Sequence, residues 1–200
     1  QMSLTHYTYD AANQLLTSER DGITWHYSYD GNGNLIQSTP GGQVSNGARR
    51  YAYNTANFLV RVETFNGTAW QNQAEMEYDG LGNRLEMTGY AQGQSAATRY
   101  QLDNGRVLAA KSGANTTFYL YGLGAVAELT DAWAYSLPDG THTPRQLTNP
   151  QGEVTLVSSY TPWGDTLEVY GNGNFTLGYF GGVMDAATGL LYVGNGQYYD

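Results

Sequence analysis

The chain has no cysteine, so disulfides, thiolate metal sites and a cysteine nucleophile are excluded. Charge is scarce, with Asp, Glu, Lys and Arg making up 14% of the 200 residues. What charge there is leans negative, to a net −9. That balance argues against nucleic acid, which needs a basic footprint, and against anionic membrane surfaces. No apolar run approaches the roughly 20 residues of a membrane helix, and no signal-peptide pattern is visible in these residues. The chain opens on Gln1 and stops at Asp200, which reads as an excerpt of a longer polypeptide.

Glycine and tyrosine are plentiful instead, with 26 Gly and 18 Tyr. Strand-favouring Tyr, Thr and Val beside turn-favouring Gly and Asn point to an all-β protein. One sentence recurs: "YTYDAANQLL" from 7, "YSYDGNGNLI" from 27, "YAYNTANFLV" from 51 and "MEYDGLGNRL" from 76. The residues before each turn alternate. In "ITWHYSYD", Ile23, Trp25, Tyr27 and Tyr29 share one face; in "QAEMEYD", Met76 and Tyr78 oppose Glu75 and Glu77. The strand after the turn is expected to alternate too, with Phe58, Val60 and Val62 on one face of "NFLVRVETF".

The turns themselves carry a rule. Asp10 is followed three places on by Asn13, Asp30 by Gly33, Asn54 by Asn57 and Asp79 by Gly82. "NPQG" ending at Gly152 and "TPWG" ending at Gly164 repeat it. Asp or Asn first and a left-handed residue fourth describe a type I turn closing a bulged hairpin. "LDNG" at 102 and "YGLG" at 121 read as variants one residue shorter. The motif tyrosines Tyr9, Tyr29, Tyr53 and Tyr78 lie 20, 24 and 25 residues apart. A lone hairpin cannot cover its apolar face, so tandem hairpins are expected to join into one sheet.

Candidate chemistry is thin. His6, His26 and His142 are the only histidines and no nucleophile motif accompanies them. "DGNGN" from 30 resembles a calcium loop, but Leu35 and Gly41 occupy the places where an EF-hand needs Gly and an acid. Trp70, Trp133 and Trp163 lie outside the hairpin register and are candidates for surface contacts, including with carbohydrate. Arg145, in "TPRQLT", is read as the partner of a nearby carboxylate that locks a turn.

These residues resemble the YD repeats of the Rhs family, shared with teneurins and TcC-type components of insecticidal toxin complexes. Residues 1–117 carry the repeat hairpins. Residues 118–200 resemble the Rhs-associated core, through "FYLYGLGAVAE", "YSLPDGTHTPRQLTNPQGEV", "SSYTPWGDTL" and "GYFGGVMDAATGLLYVGNGQYYD". His142 stands where the family usually has Gly, Thr161 replaces an Asp, and "VGNGQYYD" replaces a stretch usually bearing Arg.

The resemblance implies a curved antiparallel sheet, a segment of a spiral hollow shell around a C-terminal, toxin-like polypeptide. It implies a secreted or surface bacterial protein. Partners would be the rest of the same polypeptide, and further copies through sheet edges; no cofactor or metal is expected. The role is structural rather than enzymatic, resting on Tyr9, Asp10, Tyr29, Asp30, Gly33, Tyr53, Tyr78, Asp79, Gly82, Gly152 and Gly164. In many members of that family an aspartyl-type self-cleavage just after the core uses a pair of aspartates. Asp200 matches one; the other would fall beyond residue 200. The alternative is an extracellular adhesion, matrix or filament module that binds glycans or other chains.

Overall fold

The computed structural model describes residues 4–161, 164 and 166–199. Sixteen strands form one antiparallel sheet, each paired with its neighbours in chain order. They are β1 (His6–Tyr9), β2 (Leu15–Arg20), β3 (Ile23–Tyr29), β4 (Leu35–Pro40), β5 (Arg49–Tyr53), β6 (Leu59–Phe65), β7 (Trp70–Tyr78) and β8 (Arg84–Ala91), followed by β9 (Gln94–Asp103), β10 (Arg106–Ser112), β11 (Asn115–Tyr121), β12 (Ala125–Leu129), β13 (Trp133–Pro138), β14 (Pro144–Thr148), β15 (Val154–Tyr160) and β16 (Thr166–Gly171). A three-stranded sheet follows: β17 (Val183–Met184), β18 (Leu191–Gly194) and β19 (Gln197–Tyr199), with a 3-10 turn at Tyr179–Gly181 before it. No helix among the described residues is long and apolar enough to cross a membrane.

The motif turns line one end of the sheet, because they close odd strands onto even ones. At the other end, Asp21-Gly22 and Gln92-Gly93 make two-residue turns with both residues left-handed (φ 53 and 78, φ 50 and 77). That is the type I′ hairpin, whose twist matches the flanking strands. "NPQG" sits at this second end, between β14 and β15. "LDNG" is a type I′ turn at the motif end, with Asn104 and Gly105 left-handed (φ 48 and 80) between Asp103 and its partner Arg106. Residue 118 lies inside β11, which is paired on both sides.

Every motif hairpin carries a register shift at its tyrosine. Tyr9, Tyr29, Tyr53 and Tyr78 face Leu15, Leu35, Leu59 and Arg84, and the next residue of the outgoing strand is the extra one. The bulge corrects the simple alternation expected after the turn. In β6 the buried residues are Leu59 and Val62, three apart, at 2% and 0% exposure. The inserted Val60 resets the phase. Arg84 and Met87 repeat that spacing in β8. Bulges bend a strand and increase its twist, so a bulge at the same place in each hairpin curls the sheet in one sense.

The small sheet supplies what the large one lacks, a cover for its apolar face. Leu190 closes a cluster with Tyr51, Leu59, Val62, Ala74, Met76 and Met87. Leu177, Val183 and Tyr192 pack with Tyr119 in a second cluster, and Tyr78 and Tyr198 touch both. Each fully buried aliphatic or aromatic side chain contributes about 1.5–3 kcal/mol.

Candidate functional site

The two letters of the motif do different work. The aspartate builds its own turn: Asp79 Oδ1 accepts from the N–H of Leu81 at 2.8 Å and of Asn83 at 2.9 Å, while the Gly82 N–H donates to the Asp79 carbonyl at 3.2 Å. Asp10 and Asp30 make the same bonds, and Asn54 and Asn149 make them with a carboxamide oxygen. Bonds from the Asn side chain and backbone N–H groups hold the Asp30 and Asp79 carboxyls below the usual range. The fourth residues are left-handed: Asn13 (φ 64), Gly33 (85), Asn57 (62), Gly82 (85), Gly152 (81) and Gly164 (95). His142 (φ 64) fills the same place after Asp139. Asp139 is held down by the Thr141 hydroxyl and by Arg145, whose Nε lies 2.7 Å from its Oδ2.

The tyrosine ties one repeat to the one before it. Tyr29 Oη donates to the carbonyl of Leu15 at 3.0 Å, and Tyr78 Oη to that of Leu59 at 2.6 Å. Both acceptors begin the outgoing strand of the preceding motif hairpin. Tyr53, at the equivalent place, makes no hydroxyl bond to Leu35.

The leucine position is where the grammar breaks, and the break marks the docking site of the small sheet. Leu15, Leu35 and Leu59 stand five places after their turn residue; after Asp79 the place is taken by Arg84. Arg84 is 2% exposed and pairs with Asp185, equally buried, at 2.7 Å. Its Nη1 also donates to Tyr198 Oη at 3.2 Å and its Nη2 to Tyr100 Oη at 3.1 Å. Its guanidinium lies over the rings of Tyr192 and Tyr100, 4.3 and 4.8 Å from their centroids. Tyr78 Oη lies 2.9 Å from Tyr198 Oη, completing a cage of four tyrosines around one ion pair. Arg84 Nε has no hydrogen-bond partner among the described residues. Burial pushes the Asp185 carboxyl up, and Arg84 pulls back against that. Burial likewise pushes the Tyr198 hydroxyl up, to about 12, so it stays protonated.

Three further clamps spread the attachment. Arg49 Nη2, on β5, donates to the Thr188 carbonyl at 2.8 Å. Glu128 Oε2, on β12, accepts from the Thr176 N–H at 2.8 Å, and burial raises its carboxyl. Thr143 Oγ1, just before β14, accepts from the Phe180 N–H at 3.0 Å. The segment from Thr176 to Tyr198 thus braces the sheet from β5 to β14.

The aromatic candidates are partly occupied by their neighbours. Trp70 is half-buried, with Arg50 over its ring at 4.5 Å and Phe65 edge-on at 5.4 Å. Trp133 stacks on Tyr135 at 6.1 Å. Trp163 and Asp200 lie outside the described residues. Among the described residues, no three His, Asp or Glu side chains converge as a metal set. Sequence reasoning missed Arg84, Asp185 and Glu128. Arg84 alone left a signal, a charge where the repeat writes leucine.

The described residues thus form an all-antiparallel strip of bulged hairpins. Residues 9–44 match the RHS Repeat family. No curated protein matches the chain in sequence. Among solved structures, TcdB2-TccC3 without its hypervariable C-terminal region superposes with a TM-score of 0.62 at 16% identity, covering 98% of this chain and 14% of that one. The Photorhabdus luminescens Tc holotoxin pore gives 0.60 at 16%, covering 98% and 13%. TcdB2-TccC3 gives 0.58 at 16%, covering 98% and 14%. The resemblance to the Rhs/YD-repeat family therefore holds in the repeat and in the fold. The chain spans about one-seventh of the length of these structures.

Proposed function

We propose that the chain is a section of the wall of a large secreted or surface Rhs/YD-repeat protein, whose shell sequesters a C-terminal polypeptide. The observation that carries this reading is the uninterrupted order of sixteen antiparallel strands with a bulge at each motif tyrosine. Such a strip is a continuous surface with one sense of curl, suited to enclosing volume. The brace formed by β17–β19 supports it, because a strap across ten strands fixes their curvature. Its work is mechanical, with Asp200 reserved for self-cleavage where a second aspartate follows it.

Electron microscopy and intact mass of the full-length gene product test this. A hollow shell with a protease-protected C-terminal segment is the expected result. Cleavage beyond Asp200 that stops in Asp200→Asn assigns that residue to it. Open sheets or fibres overturn the wall reading.

Fibres would instead favour an extracellular matrix or filament module. The favouring observation is the edge strand β16, exposed along its whole length, with Leu167, Val169 and Tyr170 at 62%, 51% and 64% exposure.

A further inference from the structure

The sheet face turned away from the brace changes character along the strip. Residues paired across strands share a face. Over β5–β9 that face is knitted by ion pairs: Arg50 Nη2 lies 2.8 Å from Glu63 Oε1, and Arg99 Nε lies 2.5 Å from Glu86 Oε2. Over β11–β13 it is apolar. Ala109, Phe118, Leu129 and Trp133 form one row across β10–β13, and Leu120, Ala127 and Tyr135 form the next. Neither row carries a charge. The alternating residues Tyr119, Glu128 and Ser136 point the other way and are buried, and the first two meet the brace at Leu177 and Thr176.

Phe118, Leu120 and Leu137 are each 50% exposed, and Tyr135 is 38% exposed. Together they leave on the order of 400 Å² of side chain open to water, the size at which an apolar patch marks an interaction site. The relief is ridged. Ala127 is 0% exposed and Ala109 4%, so small residues on β10 and β12 alternate with large ones on β11 and β13.

We propose that this face packs against the same face of a second copy of the chain. Three observations choose that occupant. Two chains that each carry a net −9 repel, so copies meet most readily where the surface holds no charge. The relief is also self-complementary. A two-fold axis along the strands, between β11 and β12, sets Leu120 of one copy over Ala127 of the other, and Trp133 over Ala109. Aligned sheets about 10 Å apart interdigitate in that way. Finally, the exposed side chains supply about half of the roughly 800 Å² a side that a stable complex buries; Leu129, Trp133 and the polar rim complete it. The contact is face to face, so it leaves both sheet edges and the brace free. It does not depend on whether the wall closes.

Sedimentation equilibrium of the chain tests it. The wild type should dimerise. Leu120→Ala, which counts twice in a two-fold contact, should weaken the dimer by about ten- to hundredfold. Leu120→Lys should be a folded monomer by circular dichroism, although it lowers the net charge and with it the general repulsion. Leu167→Lys, on the β16 edge, should remain dimeric. Because the chain has no cysteine, a single introduced thiol reports the geometry: a short bismaleimide should join two copies of Phe118→Cys and leave Leu81→Cys, in an exposed turn, unjoined. A wild type that stays monomeric up to millimolar concentration overturns the proposal, as does a Phe118→Cys chain that fails to join. So does a dimer kept in Leu120→Lys but lost in Leu167→Lys, or a monomer that sediments with uncharged phosphatidylcholine vesicles, which would give the face to lipid.

Discussion

Replacing Arg84 by leucine restores the residue that the other repeats carry, yet it should cost stability. Leu would leave Asp185 buried at 2% exposure with no countercharge. Removing one partner of a buried ion pair costs about 3–5 kcal/mol. Part of that is recovered if Asp185 takes up a proton, at a cost that rises with pH. Asp185→Asn removes the other charge and leaves Arg84 within its cage, where the rings of Tyr100 and Tyr192 offset some of the loss. The double variant, Arg84→Leu with Asp185→Asn, buries no charge. It should lie closer to the wild type than the two single losses added together, by roughly 1–3 kcal/mol. Urea denaturation gives the three differences, and hydrogen exchange across 185–199 locates them. Early exchange should appear in β18 and β19 before the large sheet opens, because the pair joins the two sheets and not the strands of either one. Losses that add to within about 0.5 kcal/mol would show that the pair is not coupled, and the latch would fall with it.

The hydroxyl staples predict a graded series. Tyr29→Phe and Tyr78→Phe should each cost about 0.5–1.5 kcal/mol in urea melts, and Tyr53→Phe close to nothing, since it gives up no protein bond. Two carboxyls predict opposite slopes with pH. Asp79 is held below its unfolded value, so its contribution is present at neutral pH and lost as pH falls through and below the unfolded value near 4. Asp79→Asn, which copies the cap that Asn54 already makes, should flatten acid unfolding while sparing neutral stability. Glu128 is raised, so the folded chain holds its proton more tightly; that contribution is present at low pH and lost as pH climbs through the folded value. Glu128→Gln should therefore gain on the wild type as pH rises, and an unchanged slope would refute the assignment. Gly196→Ala should loosen β18–β19 from the sheet. Its left-handed backbone (φ 70) disfavours any Cβ, and that Cβ would collide with the Phe58 ring. A lowered melting temperature with faster exchange at 191–199 would register it.

By itself the sequence determined the local grammar. An Asp or Asn followed three places on by Gly or Asn specifies a turn from bonds within five residues, and alternating Tyr, Met and Ala specify the strand that enters it. A repeat written four times implies neighbours paired in order, because each hairpin finds the next before anything more distant. The all-β class and the Rhs-type sheet were legible for that reason. The phase of the outgoing strand was not, since alternation alone does not announce the bulge that buries Leu59 and Val62 instead of Val60. Tertiary structure decided the rest. Arg84 and Asp185 are 101 residues apart, and nothing local to "GNRLE" or "MDAATG" foretells their meeting. Local bonds are set by spacing along the chain; which apolar face is covered, and by what, is set only when distant surfaces compete for it.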